Sequence, residues 1–133
     1  MTTHATGTFE VKLVPLADDH ATAAGLGRMS IDKQFHGDLE ASSQGQMTSY
    51  MTAVKGSAGY VAMERVTGTL AGRKGSFVLQ HNGIMDRGAP SLTVAVVPDS
   101  GTEELTGLTG TLAIIIADGK HSYDFEYSLP KAQ

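Results

Sequence analysis

Apolar and polar side chains alternate at every second residue along most of this sequence, and glycine-containing turns interrupt the alternation at short intervals. Phe9, Val11 and Leu13 alternate with polar residues near the start of the chain, and Tyr123 and Phe125 do so near its end. A period of two is typical of β-strands with one buried face, because successive side chains point to opposite sides of a sheet. The pattern therefore predicts an all-β protein.

Eight segments follow this rule, and an antiparallel sheet loses both of its exposed edges when it closes on itself. We therefore predict a single antiparallel eight-stranded β-barrel domain over residues 1–133, with a two-sheet sandwich as the alternative. The predicted strands are Thr8–Leu13, Gly27–His36, Asp38–Val54, Ser57–Ala71, Gly75–Met85, Ser91–Pro98, Leu108–Ala117 and Ser122–Leu129.

The alternation is absent between Asp18 and Arg28. In this segment two acidic residues precede an alanine-rich run that ends at Gly25. Acidic residues are preferred at helix N-caps and glycine is preferred just after helix ends. We therefore expect one helical turn or a loop here, and we expect it to cross one mouth of the barrel.

Composition and charge exclude several classes of function. A net charge of −4 and a pI near 5.6 argue against non-specific binding to nucleic acid, which needs a basic face. The absence of cysteine removes disulfides, thiolate nucleophiles and thiolate metal sites. The five histidines never recur two or four residues apart, and no glycine-rich phosphate loop is present. We expect neither a metal nor an organic cofactor.

The sequence also shows no sign of export or membrane insertion. Its first ten residues form no basic and apolar leader, and the longest strongly apolar run, Leu112–Ala117, is too short to cross a bilayer. We therefore expect a cytoplasmic protein with no membrane partner.

The candidate catalytic residues lie in the predicted strand Ser57–Ala71. Glu64 and Arg65 are adjacent, so their side chains point to opposite faces and one of them points inward. Glu64 shares its face with Tyr60 and Val66, which are larger and more typical of a core than the neighbours of Arg65. We therefore place Glu64 inside the barrel.

The next predicted strand brings a histidine to the same interior. If the hairpin folds about Arg73, Glu64 lies opposite His81, and Phe77 covers the strand glycine Gly68. A carboxylate beside an imidazole in an apolar lumen has the composition of a general acid or base. Burial is expected to raise the carboxyl pKa toward the working pH.

The catalytic hypothesis assigns proton abstraction to Glu64, orientation or sharing of the proton to His81, and hydrogen bonding to developing negative charge to Tyr60. The structural alternatives are that Glu64 and His81 form a satisfied buried pair, or that Glu64 meets an arginine from a neighbouring strand. The ligand-binding side chains are expected to be the apolar residues of the lumen, namely Phe35, Val66, Phe77, Leu79 and Phe125.

Four segments of the sequence resemble a bacterial protein family of unknown function. They are Ser30–Glu40, Gly56–His81, Val96–Gly110 and His121–Pro130. The resemblance implies an eight-stranded barrel similar to that of allene oxide cyclase, an architecture shared with cyclases and isomerases of small hydrophobic substrates. It implies no activity, because the family has none assigned.

Three functions from different classes follow from this sequence. The first is a cofactor-free isomerase, cyclase or lyase that uses Glu64 as its base. The second is a non-enzymatic module that binds a small hydrophobic molecule, and the third is a scaffold whose filled lumen binds nothing. We also expect a homodimer, because Val94–Val97 and Ile114–Ile116 place apolar residues on both faces of their strands.

Overall fold

The computed structural model of the chain describes residues 2–130, which form one closed barrel of eight antiparallel strands. Each strand pairs with its neighbour in sequence, and β1 pairs with β8 to close the sheet. The strands are β1 Thr3–Pro15, β2 Gly27–Gly37, β3 Leu39–Met51, β4 Ala58–Leu70, β5 Arg73–Asp86, β6 Ala89–Val96, β7 Thr109–Ala117 and β8 Lys120–Ser128. The predicted barrel is confirmed, and the sandwich alternative is excluded.

The break in the alternation after β1 contains the helix α1, Asp19–Ala23. Asp18 is its N-cap, and the Asp18 carboxylate accepts a hydrogen bond of 3.0 Å from the backbone N–H of Ala21. The same carboxylate forms an ion pair of 2.8 Å with Arg28 at the start of β2. These polar contacts hold α1 to the rim of the barrel.

A second short helix closes the opposite end of the barrel. The 3-10 helix Glu103–Leu105 lies in the loop between β6 and β7, and it places Leu105 in the core with 1% exposure. The sequence pattern did not predict this helix. Within residues 2–130, no helix has the length and apolar character needed to span a bilayer.

The pairing of β4 with β5 differs from the predicted register by two residues. Leu70 pairs with Arg73 across a two-residue turn, so Glu64 lies opposite Leu79 and Ala62 lies opposite His81. The predicted register, in which Glu64 lies directly opposite His81 and Phe77 lies opposite Gly68, is therefore wrong. The error arose because the turn is shorter than expected; its first residue, Ala71, adopts a positive φ of 50°. A shift of two residues keeps every side chain on its predicted face.

The two ends of the barrel interior differ in packing. At the end that carries the β2–β3 and β4–β5 turns and the 3-10 helix, the inward-facing side chains form a closed apolar core, which we call the plugged end. Its largest fully buried members are Phe35, Leu39, Leu70, Phe77, Leu105, Leu108, Tyr123 and Phe125. Phe77 stacks on Phe125 with 5.7 Å between ring centres, and Tyr123 meets Phe35 edge to face.

At the other end, side chains on the inward face of their strands are exposed to solvent, and we call this end the mouth. Leu13 is 46% exposed and Leu92 is 43% exposed, although each shares its strand face with buried residues. Other apolar residues on inward faces at this end are Met29, Met47, Met85 and Ile116. Inward-facing apolar side chains are therefore buried at the plugged end and left exposed at the mouth, where they form an apolar rim.

Gly45 permits the close approach of β3 and β4 beside Glu64. It pairs with Glu64, and a Cβ atom at Gly45 would lie 2.8 Å from the Glu64 Cβ and would overlap the carbonyl oxygen of Met63. Neither neighbour is the end of a flexible side chain, so the strands would have to separate.

We expect Gly45→Ala to destabilise the fold by about 1–3 kcal/mol, which is the usual cost of overpacking an interior. The matched control is Gly59→Ala on β4, where a Cβ atom meets only the Gly83 carbonyl oxygen at 3.8 Å. The measurement is the free energy of unfolding in urea. Equal stabilities of the two variants would contradict the close approach.

Candidate active site

Four buried polar side chains meet in the middle of the barrel, one from each of four consecutive strands. Lys33 of β2, Ser43 of β3, Glu64 of β4 and His81 of β5 are each exposed by 7% or less. The Glu64 carboxylate is the centre of this cluster. Its Oε1 accepts a hydrogen bond of 2.7 Å from Ser43 Oγ, and its Oε2 lies 2.8 Å from Lys33 Nζ and 2.5 Å from His81 Nε2.

Strand pairing explains how these side chains converge. Lys33 lies directly opposite Ser43 across β2 and β3, so their side chains share the inward face. Glu64 lies opposite Gly45, the next inward position on β3, where the absence of a side chain leaves room for the carboxylate. His81 is the diagonal neighbour of Glu64 across β4 and β5, a separation within reach of long side chains.

The cluster extends toward the mouth through Tyr60. The Tyr60 hydroxyl lies 3.2 Å from Nδ1 of His81, and Tyr60 is only partly buried. The ring of Tyr60 lies over Gly83, its partner on β5, where a Cβ atom would come within 2.8 Å of the ring carbon Cδ1. An aromatic ring thus covers a strand glycine, but the pair is Tyr60 with Gly83 and not Phe77 with Gly68.

The carboxyl group of Glu64 is ionised, and the direction of its pKa shift is opposite to the one expected. Burial alone raises the pKa of Glu64, because the interior solvates its charge poorly. The hydrogen bond from His81, together with the charge of Lys33 and its hydrogen bond, outweighs this effect and lowers the pKa from 4.5 to about 2. The expectation of a raised pKa is therefore wrong.

The cause of that error is Lys33, which sequence reasoning missed. Its ammonium group also lies 5.1 Å from the ring centre of Phe9 and 5.7 Å from that of Phe35, in positions that favour cation–π attraction. The available signal was its phase on β2, where Lys33 stands between the inward-facing Ile31 and Phe35. The base that Glu64 meets is thus this lysine, not the arginine considered as an alternative.

The protonation state of Glu64 determines how the hydrogen bonds run. An ionised carboxylate can only accept, so the proton between the two groups is carried by Nε2 of His81. Nδ1 of a neutral imidazole then has a lone pair that accepts a hydrogen bond from the Tyr60 hydroxyl. The result is a chain of hydrogen bonds that runs from Tyr60 through His81 to Glu64.

The five apolar residues predicted to line a ligand site all lie in the plugged end or next to the cluster. Phe35, Val66, Phe77, Leu79 and Phe125 are each exposed by 0–1%. Their side chains pack against one another in the core rather than along an open lumen. The residues that form the apolar rim of the mouth were not singled out from the sequence, because alternation alone does not tell which end of a barrel is filled.

Two further histidines, His4 and His36, form ion pairs at the surface. Within residues 2–130, no group of three His, Asp or Glu side chains is arranged to hold a metal ion. His36 pairs with Glu10 at 2.7 Å, and His4 pairs with Asp124 at 2.7 Å, both at the surface.

Comparison with known proteins gives the chain a family. Residues 5–127 match the model of DUF3224, a family of proteins of unknown function. The chain belongs to this family. A crystal structure of a DUF3224 protein of unknown function from Shewanella oneidensis MR-1 is 56% identical to it, with a TM-score of 0.93, and the match covers 99% of this chain and 100% of that one. A search of curated proteins found no match to the chain.

The lowered pKa of Glu64 makes the stability of this DUF3224 protein depend on pH. Because the pKa is lower in the folded state, the ionised carboxylate stabilises the fold above about pH 4.5, and this contribution is lost as the pH falls toward about 2. The shift from 4.5 to about 2 corresponds to about 3 kcal/mol.

We therefore expect the free energy of unfolding of the wild type to fall by about 3 kcal/mol more than that of Glu64→Gln between about pH 6 and about pH 2. Urea titrations of both proteins across this range measure the difference. The prediction concerns how the free energy of unfolding changes with pH, not its absolute value. It therefore holds although Glu64→Gln leaves Lys33 without its carboxylate and so lowers the stability of the variant. Parallel pH profiles would show that Glu64 is not held ionised by its partners.

Proposed function

We propose that this DUF3224 protein is a cofactor-free acid–base enzyme, an isomerase, cyclase or lyase, that acts on a small apolar molecule bound at the mouth. The observation that carries the proposal is the chain of hydrogen bonds from Glu64 through His81 to Tyr60, which leads from a buried ionic cluster to a tyrosine that is only partly buried. Linked titratable groups of this kind, in an otherwise apolar interior, are characteristic of catalytic sites.

The contacts of Glu64 favour a role in positioning rather than as the base. Both carboxylate oxygens are occupied by donors, and a pKa of about 2 makes the carboxylate a weak base. Its hydrogen bond to Nε2 instead fixes the tautomer of His81, so that Nδ1 is the basic nitrogen and faces Tyr60. The negative charge of Glu64 also stabilises the imidazolium that forms when His81 accepts a proton, as the carboxylate does in serine protease triads.

Proton transfer then passes through the Tyr60 hydroxyl. The oxygen of Tyr60 accepts a proton from the substrate while its own proton moves to Nδ1 of His81. The substrate loses one proton, the imidazole gains one, and the tyrosine is unchanged. Return of that proton to a different atom of the substrate completes an isomerisation, and loss of a leaving group in its place completes an elimination.

The phenol of Tyr60 is suited to this relay because it stays protonated at rest. Burial raises its pKa above 10, and the negative charge of Glu64 raises it further. Its single proton is therefore present for donation to Nδ1 of His81, which leaves the lone pairs of the oxygen to accept the proton of the substrate.

The surroundings support a substrate that is apolar and carries an acidic C–H bond. Met29, Met47 and Met85 stand on inward faces at the mouth, and flexible thioethers adapt to varied apolar shapes. A carbonyl group next to the C–H bond would supply that acidity, because it delocalises the negative charge that forms when the proton leaves. The likeness to the allene oxide cyclase barrel, which we infer from the sequence resemblance, is consistent with cyclisation or isomerisation of such a molecule.

The test uses β,γ-unsaturated ketones, whose conversion to the conjugated isomer is followed by ultraviolet absorbance. We expect the wild type to accelerate this conversion for members of the panel that fit the mouth. Tyr60→Phe and His81→Gln should each lower kcat/KM by about 10²- to 10⁴-fold, the usual contribution of general acid–base catalysis. The matched control is Tyr50→Phe, because Tyr50 is 49% exposed and belongs to the outward face of β3. Full activity in Tyr60→Phe would overturn the mechanism.

The second candidate is a binding module for a small hydrophobic molecule, and the exposed apolar rim of the mouth favours it independently of the hydrogen-bonded chain. A ligand that binds only the folded state raises the melting temperature. A shift with a panel of apolar carbonyl compounds, retained in Tyr60→Phe and accompanied by no conversion, would favour this function over catalysis.

We also propose that the chain forms a homodimer in the cytoplasm through its exposed apolar strand residues. Ile115 is 47% exposed on the outward face of β7, and burying such a side chain against a second copy is favourable. Light scattering tests the association, which predicts a mass of twice 13.9 kDa.

A further inference from the structure

The pairing between β1 and β8 stops partway along the barrel wall. The last pair is Thr8 with Ser122, although β1 continues to Pro15 and β8 begins at Lys120. Beyond this pair β1 remains bonded to β2 only. The two strands leave a cavity of about 580 Å³ between them, which we call the side cleft. It is lined by Thr8, Phe9, Glu10, Val11, His36, Gly119, Lys120 and His121.

The side cleft has a fixed apolar floor. The ring of Phe9 is 5% exposed and is held from three sides, by Phe35 at 5.7 Å, by His121 at 5.3 Å and by the ammonium group of Lys33 at 5.1 Å from its centre. Val11 continues the apolar surface on the same face of β1. An aromatic floor with supports on several sides is preorganised to contact a flat apolar group.

The charges around the side cleft favour an anion. Glu10, its one carboxylate, already forms an ion pair of 2.7 Å with His36. Lys120 and His121, on the opposite wall, have no carboxylate partner anywhere in residues 2–130. The charged group of the cleft that has no partner is therefore the ammonium group of Lys120, and His121, the next residue of β8, contributes a ring N–H that can donate a hydrogen bond.

We propose that the side cleft is a binding site for small apolar carboxylates, with the apolar group on Phe9 and Val11 and the carboxylate on Lys120 and His121. The volume of the cleft lies in the range of small-molecule sites, and its combination of an apolar floor with a few polar groups is typical of them. None of the residues that line the side cleft belongs to the proposed relay of Tyr60, His81 and Glu64, so the site does not depend on that proton transfer.

The experiment is a titration of the uniformly labelled protein with phenylacetate, followed by the backbone amide signals in two-dimensional NMR. We expect saturable shifts at residues 8–11 and 119–121. Phenylacetamide has the same shape without the charge, so it should bind about threefold to fivefold more weakly, as expected for loss of an exposed ion pair. Equal affinity for the acid and the amide would overturn the proposal, and so would the absence of saturable shifts.

Variants assign the binding to the side cleft. Lys120→Met keeps an unbranched side chain but removes the charge, and it should weaken phenylacetate binding about threefold to fivefold without affecting phenylacetamide. Lys74→Met removes a lysine charge from the opposite end of the barrel and should change neither. Tyr60→Phe should also leave the affinity unchanged. Loss of binding in Tyr60→Phe, with the shifts at the mouth, would place the ligand in the mouth and refute the side cleft.

Discussion

A negative charge held in the middle of a β-barrel is the constraint on which the rest of this structure depends. An isolated carboxylate in an apolar interior would bind a proton or destabilise the fold. Glu64 remains ionised because Lys33, Ser43 and His81 reach it from three other strands. The four strands from β2 to β5 are therefore held in one register by a polar cluster as well as by their backbone bonds. Removing Lys33 would leave the buried charge of Glu64 without its cation, which is more damaging than losing one hydrogen bond.

This cluster also divides the interior of the barrel into two parts that differ in packing. On one side of it, aromatic and aliphatic side chains fill the interior to the plugged end. On the other side, Tyr60 and the methionines of the rim face the mouth. The proposed site would take its rigid support from the filled part and its access from the exposed one. Glu64 and His81 belong to the supported half, and Tyr60 is the member of the chain that reaches the open one.

Alternation of side chains was sufficient to predict the all-β class and the inward direction of Glu64 and His81. These conclusions depend only on the phase of each strand, and a shift of two residues in register preserves phase. The same shift changed which residues face each other, because a two-residue turn at Ala71 and Gly72 was not recognised. The side chains of Glu64 and His81 are long enough to meet diagonally, so the contact survived the error in pairing.

The charge state of Glu64 was beyond the reach of this reasoning. It depends on Lys33, which lies 31 residues away in sequence and which we did not single out from the sequence. Which end of the barrel is open was also beyond reach, because the 3-10 helix that delivers Leu105 to the core sits in a loop without periodicity. Long-range contacts and irregular loops thus account for what the pattern could not predict, whereas local alternation accounts for what it could.

The hairpin of β7 and β8 has few backbone bonds to the rest of the sheet on either side near its turn. On one side the pairing of β7 with β6 consists of Ala95 with Thr111, and on the other the pairing of β8 with β1 stops at Ser122. The two strands are bonded to each other throughout, down to Ala117 and Lys120. The wall of the barrel therefore consists of six extensively paired strands, β1 to β6, and a two-strand hairpin that is paired with them over only part of its length. A change in the tilt of that hairpin would leave the ladders that hold the ionic cluster unaltered, because those ladders join β2 to β5.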